Sequence, residues 1–239
     1  MTREDFSNQF DTLLNSYARE ANPGEAAAKL TVTLDEYEKS VYLTRSQKEL
    51  VIALYTGKNP FGESFEETEE LRRYLAPIVK EAQLSPISTT SGLPLGIDSK
   101  SKFFTLPEDL WFITYESVDV SDSKCEDMKT MEVVPVTQDE YHKIKKNPFR
   151  GANNRRSLRL DLSDGVVEIV SKFTVSSYYL RYLRKLKPII LIDLPDGMTI
   201  ENETSASDCK LHEALHHRIL DGAVRLALQA WGYNNKNSE

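Results

Sequence analysis

The sequence predicts an α+β fold: an N-terminal helical unit, central β-hairpins and antiparallel strands with an extended arm, and a closing helix. Three observations carry this expectation. Apolar residues recur at helical spacing through roughly the first 82 positions. Aromatic and β-branched runs separated by turn signals dominate from about residue 110 to 200. One more amphipathic run, Leu211 to Trp231, closes the chain before a polar tail.

Each element has its own local reason. Thr2 to Ala21 places Phe6, Phe10, Leu13, Leu14 and Tyr17 on one helical face, with Thr2 and Asp5 forming a capping box, and stops at Asn22-Pro23-Gly24. Thr33 with Glu36 predicts a short helix through about Val41. Thr44 with Gln47 predicts the next, through about Thr56 and ended by Gly57. A fourth helix is expected over Phe65 to Ala82, kinked or divided by Pro77. Residues 1–82 therefore read as an acidic helical unit. Leu84 to Pro107, with Ser88-Thr89-Thr90-Ser91-Gly92 inside it, reads as loop, so 83–109 is expected to form an extended arm.

Leu110 to Val120 and Lys129 to Val136 predict a long hairpin, and Thr137 with Glu140 caps a short helix through about Lys145. A basic loop, Lys146 to Arg156, follows. Ser157 to Leu162 and Val166 to Lys172 flank Ser163-Asp164-Gly165, an Asp-Gly signal for a tight hairpin. Val175 to Ile192 reads as extended, because Pro188 opposes a helix running into Ile189. Residues 110–200 thus form a β-rich basic region, and 201–239 a C-terminal helix and tail expected to pack back on the helical unit.

Charge is distributed unevenly along this plan. The chain of 239 residues has a net charge of −7, yet Tyr141 to Ile190 holds twelve Lys or Arg against three Asp or Glu. That middle carries +9 and the flanks −16. Such a chain can offer a basic face and an acidic face to different partners, including a second copy of itself. The apolar stretches Pro188 to Ile192 and Leu50 to Tyr55 fall far short of the roughly 18 residues that cross a bilayer, so no membrane association is expected. The N-terminus lacks the apolar core of a signal peptide. Cys125 and Cys209 follow no ligand spacing and are read as reduced thiols in a cytosolic setting.

Two motifs suggest other functions. His212-Glu213-Ala214-Leu215-His216 matches the pattern of zinc peptidases, in which a helix presents two imidazoles one turn apart with a glutamate as base. A third ligand is missing: His217 is too near in the helix, and neither Asp221, Glu239 nor the distant His142 is convincing. Leu43 to Tyr55 resembles one helix of a DNA-reading helix-turn-helix, but the unit around it is acidic where such readers are basic. A metallopeptidase and a DNA-binding regulator are therefore the alternatives, and the sequence assigns no catalytic, cofactor or metal residues. Lys143, Lys145, Lys146, Arg150, Arg155, Arg156, Arg159, Arg181, Arg184, Lys185 and Lys187 form a basic set able to meet phosphates or an acidic subunit surface.

Tyr178-Tyr179-Leu180-Arg181-Tyr182-Leu183-Arg184, Lys187-Pro188-Ile189-Ile190-Leu191, Leu194-Pro195-Asp196-Gly197 and the run from Leu211 through His217, Ile219-Leu220-Asp221 and Ala223-Val224 resemble the neck ring proteins of crAss-like tailed phages. The Phe6 to Tyr17 helix and Leu34 to Leu54, with Asp35-Glu36-Tyr37-Glu38-Lys39-Ser40, are similar to the same group, so most of the chain is covered. The resemblance implies a non-enzymatic virion protein, made in the host cytoplasm. It would form a homo-oligomeric ring, a dodecamer, in the head-to-tail connector or tail barrel. The portal-proximal ring is the implied seat, joining portal to the next tail ring, with genomic DNA passing through the lumen without sequence-specific contact. Lys145, Lys146, Arg155, Arg156, Arg181, Arg184 and Lys185 are expected at the lumen or a subunit contact. The arm Ser85 to Lys102 and the Leu110 to Val136 hairpin are expected to reach other chains.

Overall fold

The computed structural model describes residues 1–21, 33–58, 67–88, 96–97, 101–122 and 125–232. The Asn22-Pro23-Gly24 stop, most of the Ser85 to Lys102 arm, the tip of the long hairpin and the tail from 233 lie outside the described residues. The chain divides into two compact units: Met1–Ile78 with Leu186–Glu239, called unit 1, and Val79–Lys185, called unit 2. The α+β class is as the sequence predicts, with five helices and one seven-stranded sheet among the described residues.

In unit 1, α1 spans Arg3–Ala21 and buries Phe6, Phe10 and Leu14. Its cap is the predicted box, with Thr2 N donating to Asp5 Oδ2 (3.0 Å) and Asp5 N to Thr2 Oγ1 (3.1 Å). Where the sequence predicts two helices there is one, α2, Glu36–Thr56, capped by Asp35 with Glu38 and ended by Gly57 at φ 75°. Thr44 does not cap anything. It sits mid-helix on a buried polar stripe with Ser40 and Gln47, spaced four and three residues apart so that they share one face.

That stripe holds the extended segment after residue 185. Leu191 N donates to Ser40 Oγ (3.0 Å), Ile189 N to Thr44 Oγ1 (3.0 Å), and Thr44 Oγ1 to Ile189 O (3.3 Å). Side chains of α2 thus do what a neighbouring strand would do for a buried backbone. The segment's one bridge to extended backbone among the described residues pairs Ile190 with Ser207.

The predicted fourth helix is also corrected. α3 covers only Glu69–Leu75, a 3-10 turn follows over Ala76–Ile78, and Val79–Leu84 is a strand. Pro77 has no N–H to continue the helix, and the chain leaves as β structure. α5, His216–Gly232, follows a 3-10 turn at Glu213–Leu215 and packs on α2 and α1. Gly222 allows the close approach to α2, since a Cβ there would overlap Ser46 Oγ, which donates to Ile219 O at 2.7 Å. Lys39, 3% exposed, ties α1 to α2 by donating to Ser7 Oγ (3.0 Å), Asp11 Oδ2 (2.7 Å) and Glu36 Oε1 (2.9 Å).

In unit 2 the strands are β1 (Val79–Leu84), β2 (Lys102–Thr105), β3 (Leu110–Asp122), β4 (Cys125–Val136), β5 (Arg156–Asp161), β6 (Val166–Val170) and β7 (Thr174–Arg184). They form one sheet in the order β1-β7-β3-β4-β5-β6-β2. All pairs are antiparallel except β4 with β5. β2 lies within the stretch expected to be arm, pairing Phe103 with Glu168 and Phe104 with Val167. Bulges in β3 against β7 bend the sheet, which curls until Phe104 of β2 meets Tyr178 of β7, ring centroids 5.4 Å apart. The core inside this curl comprises Val118, Val120, Met131, Val133, Val167, Ile169, Val175, Leu180 and Tyr182 besides those two rings.

The predicted hairpin turn is present with Asp164 at φ 58° and Gly165 at φ 69°, both left-handed as such a tight turn requires. The parallel β4–β5 pair needs a crossover, which α4 (Gln138–Ile144) and the loop 145–155 supply. Tyr141 and Ile144 of α4 cover Leu158, Leu160 and Val170 on the outer face of the sheet.

Candidate assembly surfaces

The crossover loop carries the basic residues singled out first. Lys145 is the C-cap of α4, Lys146 follows it, Arg155 leads into β5 and Arg156 opens that strand. Lys145, Lys146 and Arg155 are exposed and have no carboxylate partner among the described residues. The loop is ordered by its asparagines. Asn147 Oδ1 accepts from Phe149 N (2.9 Å) and Arg150 N (3.2 Å), and Asn153 Oδ1 accepts from Arg155 N (2.9 Å) and Arg156 N (3.1 Å). Gly151 lies so close to the α4 C-terminus that a Cβ would stand 2.7 Å from Asn147 O and 2.9 Å from Ile144 O. Arg150 is tied to Glu140 at 3.1 Å.

Arg181, Arg184 and Lys185 belong to a different part of unit 2, at the end of β7. Arg181 pairs in register with Glu81 of β1, Arg184 with Leu110 of β3, and Lys185 Nζ donates to Glu108 O at 3.0 Å. Between β5 and β7 lie β3 and β4, roughly 14 Å across the sheet at about 4.8 Å per strand. The basic set is therefore two clusters.

Arg159 leaves the set altogether. It is 8% exposed and donates to Glu116 Oε1 (2.8 Å), with Asp161 Oδ1 2.9 Å from its Nε. Tyr178 Oη donates to the other oxygen of Glu116 at 2.6 Å. Burial, reinforced by the Glu116 carboxylate, pushes the Tyr178 phenol far above its ordinary value, so it remains a donor. Arg159 and Glu116 offset one another's charge inside the curl, and Tyr178 adds a neutral donor, so Arg159 is engaged within the fold.

The histidine motif is not built as a zinc-binding helix face. His212 precedes α5 and accepts from Ala214 N through Nδ1 (3.2 Å), and its ring lies 5.5 Å from that of Tyr74. His216 is buried against Phe6, with Nδ1 2.9 Å from the Met1 amine and Nε2 3.2 Å from Leu211 O. Burial, followed by the nearby N-terminal ammonium, holds its imidazole below the ordinary range. Among the described residues no group of three or more His, Cys, Asp or Glu could hold a metal ion. Burial pushes the Cys209 thiol up to about 11. The Leu43 to Tyr55 stretch is the body of α2, with Leu43, Val51 and Leu54 in the core.

Two surface features were not singled out in the sequence. Phe149, 84% exposed, stands at the centre of the basic loop. Its signal was an aromatic flanked by Asn147-Pro148 and Arg150-Gly151 in an otherwise polar run. In unit 1, two adjoining grooves of about 930 Å³ and 360 Å³ share Arg3, Glu4, Leu191 and Ile192, with Asp193 and Asp208 also lining the larger. Ile192 is 49% exposed there, and Arg3 pairs with Asp208 at 3.2 Å. Nothing in local spacing links these residues, which come from both ends of the chain.

A family model described as phage tail ring protein 3/4 matches residues 1–239. The chain is 44% identical over 231 residues to Ring protein 3 of Bacteroides phage crAss001, covering 95% of each protein. It is 28% identical over 240 residues to Ring protein 4/5 of the same phage, covering 97% of this chain and 94% of that one.

Proposed function

We propose that this chain, which belongs to the phage tail ring protein 3/4 family, closes with copies of itself into a ring of the head-to-tail connector, a dodecamer whose lumen passes genomic DNA. Its coarse role, a structural ring protein of the phage tail and so of the virion, follows from the family match and the 44% identical relative. The finer reading adds the stoichiometry, the neighbours on the two rims and the passive DNA channel, and it assigns the chain no catalytic step. The relatives named Ring protein 3 and Ring protein 4/5 support another tail ring as the neighbour on at least one rim, with the portal as the candidate for the other.

The observation that carries this reading is the set of exposed loop cations Lys145, Lys146 and Arg155, which have no carboxylate partner among the described residues, on a chain of net charge −7. A ring subunit meets its left and right neighbours through two different surfaces, and opposite charges on them favour self-association. Native mass spectrometry of the purified chain, alone and mixed with its portal or its neighbouring ring protein, is the test. The expected result is a closed multimer of about a dozen copies. A monomer or dimer indifferent to both partners would remove the ring reading. The charge reversals Lys145→Glu, Lys146→Glu, Arg155→Glu and Arg156→Glu, combined, should reduce ring assembly or genome retention.

A further inference from the structure

The basic loop of unit 2 and the groove of unit 1 are complementary in character. The loop presents an exposed aromatic side chain, Phe149, in a run that also carries the exposed cations Lys145, Lys146 and Arg155, and the groove is lined by Ile192 together with Glu4, Asp193 and Asp208. We propose that Phe149 of one copy seats against Ile192 of the next copy, with Lys145, Lys146 and Arg155 facing Glu4 and Asp193. This rests on the ring reading above and adds which two surfaces meet.

Three observations favour this occupant. The loop is already fixed by the Asn147 and Asn153 hydrogen bonds, so docking it orders little new backbone. Lys145, Lys146 and Arg155 have no carboxylate partner among the described residues, whereas the groove holds Glu4 and Asp193 in addition to the Asp208 that Arg3 already neutralises. The two patches differ, so each copy offers one and receives the other, and the contact repeats head to tail as a closed ring requires. An aromatic set among cations is also a feature of single-strand nucleic-acid grooves, where bases stack on it. A duplex keeps its bases stacked on each other and gives the Phe149 ring no apolar seat, so the protein partner is favoured.

The test mixes two singly substituted chains, Phe149→Cys and Ile192→Cys, each also carrying Cys125→Ser and Cys209→Ser, under assembly conditions followed by mild oxidation. Cross-linked dimers are expected from the mixture and from neither chain alone. Phe149→Ser should raise the concentration for half-assembly at least ~10-fold, the effect of an aromatic anchor lost from an interface. Its circular dichroism should be unchanged, since the ring side chain touches little of its own fold. Lys146→Glu should weaken assembly and Asp193→Lys should restore it in the double variant. If wild-type chains close into multimers but the mixture gives no cross-link and Phe149→Ser assembles normally, this contact is wrong and the ring reading stands. If wild-type chains form no closed multimer with any partner, the ring reading itself fails. Loss of DNA retention in Phe149→Ser with assembly unaltered would make the loop a nucleic-acid surface and overturn the proposal.

Discussion

The two units satisfy buried polar groups in opposite ways. Unit 2 pairs its backbone through strand ladders and seals one ionic cluster, Arg159 with Glu116 and Tyr178, whose paired charged side chains are 10% and 9% exposed. Unit 1 leaves an extended segment without a ladder and satisfies it from α2, while the Asp11 and Glu36 partners of Lys39 remain 43% and 31% exposed. In the first case polarity is concentrated and buried except at Asp161, where Arg159 also meets an exposed carboxylate. In the second it is spread along a helix and open to water. The same kind of deletion should therefore cost different amounts in the two places.

Glu116→Ala is expected to have the largest effect, about 3 kcal/mol, because the Arg159 guanidinium stays buried with only the solvent-exposed Asp161 left as a counter-charge. Guanidinium denaturation measures it. The double variant Glu116→Leu, Arg159→Met should regain most of the loss, and failure to regain it would mean that the ion pair itself, beyond its completeness, stabilises the sheet. Lys39→Met, the matching deletion in unit 1, should cost only about 1–2 kcal/mol, since the carboxylates it leaves reach water. A cost equal to that of Glu116→Ala would erase the contrast.

Thr44→Val keeps the shape of the side chain but strips the partner from Ile189 N, for an expected loss of about 1–3 kcal/mol. Hydrogen exchange should place the lost protection at Ile189 and Leu191 and leave unit 2 untouched. Asp35→Ala, which removes the N-cap of α2, should cost about 1 kcal/mol. The smallest effect is a pH dependence confined to unit 1. The folded His216 takes up a proton less readily than an unfolded histidine, so stability is full above the ordinary value of 6.5 and falls as pH drops through it. Urea midpoints at pH 7.5 and 5.5 should differ in the wild type and converge in His216→Gln.

The same contrast decides what could be read in advance. Elements specified by neighbours in sequence were legible: the Thr2–Asp5 box, the Thr137 cap and the Asp164-Gly165 turn all use interactions within a few residues, and the long hairpin pairs strands adjacent in sequence. Elements specified by distant partners were misread. Thr44 looked like a cap because a threonine before Gln47 usually is one, whereas its hydroxyl serves Ile189, 145 positions away. β2 looked like part of an arm because its partner β6 lies more than sixty residues downstream. Arg159 looked like surface charge because its counter-ion, Glu116, is 43 positions upstream. For the candidate site, the concentration of cations in the loop was visible in composition, but the separation from Arg181, Arg184 and Lys185 depended on sheet order, and the exposure of Phe149 on the turn that presents it.

The order in which the chain emerges during synthesis interacts with where it crosses between units. Unit 2 is complete in sequence by Lys185, and its entry and exit strands are hydrogen-bonded neighbours, Val79 opposite Leu183. Unit 1 is split around it, and its core lacks the Ile189–Leu191 segment and α5 until the last quarter of the chain has been made. On the ribosome the sheet can therefore fold while α1 and α2 wait for α5, and Phe6 lacks the His216 ring that packs against it. A chain interrupted before α5 would have a finished unit 2 and an unfinished unit 1, so unit 1 can close only once translation has reached the end of α5.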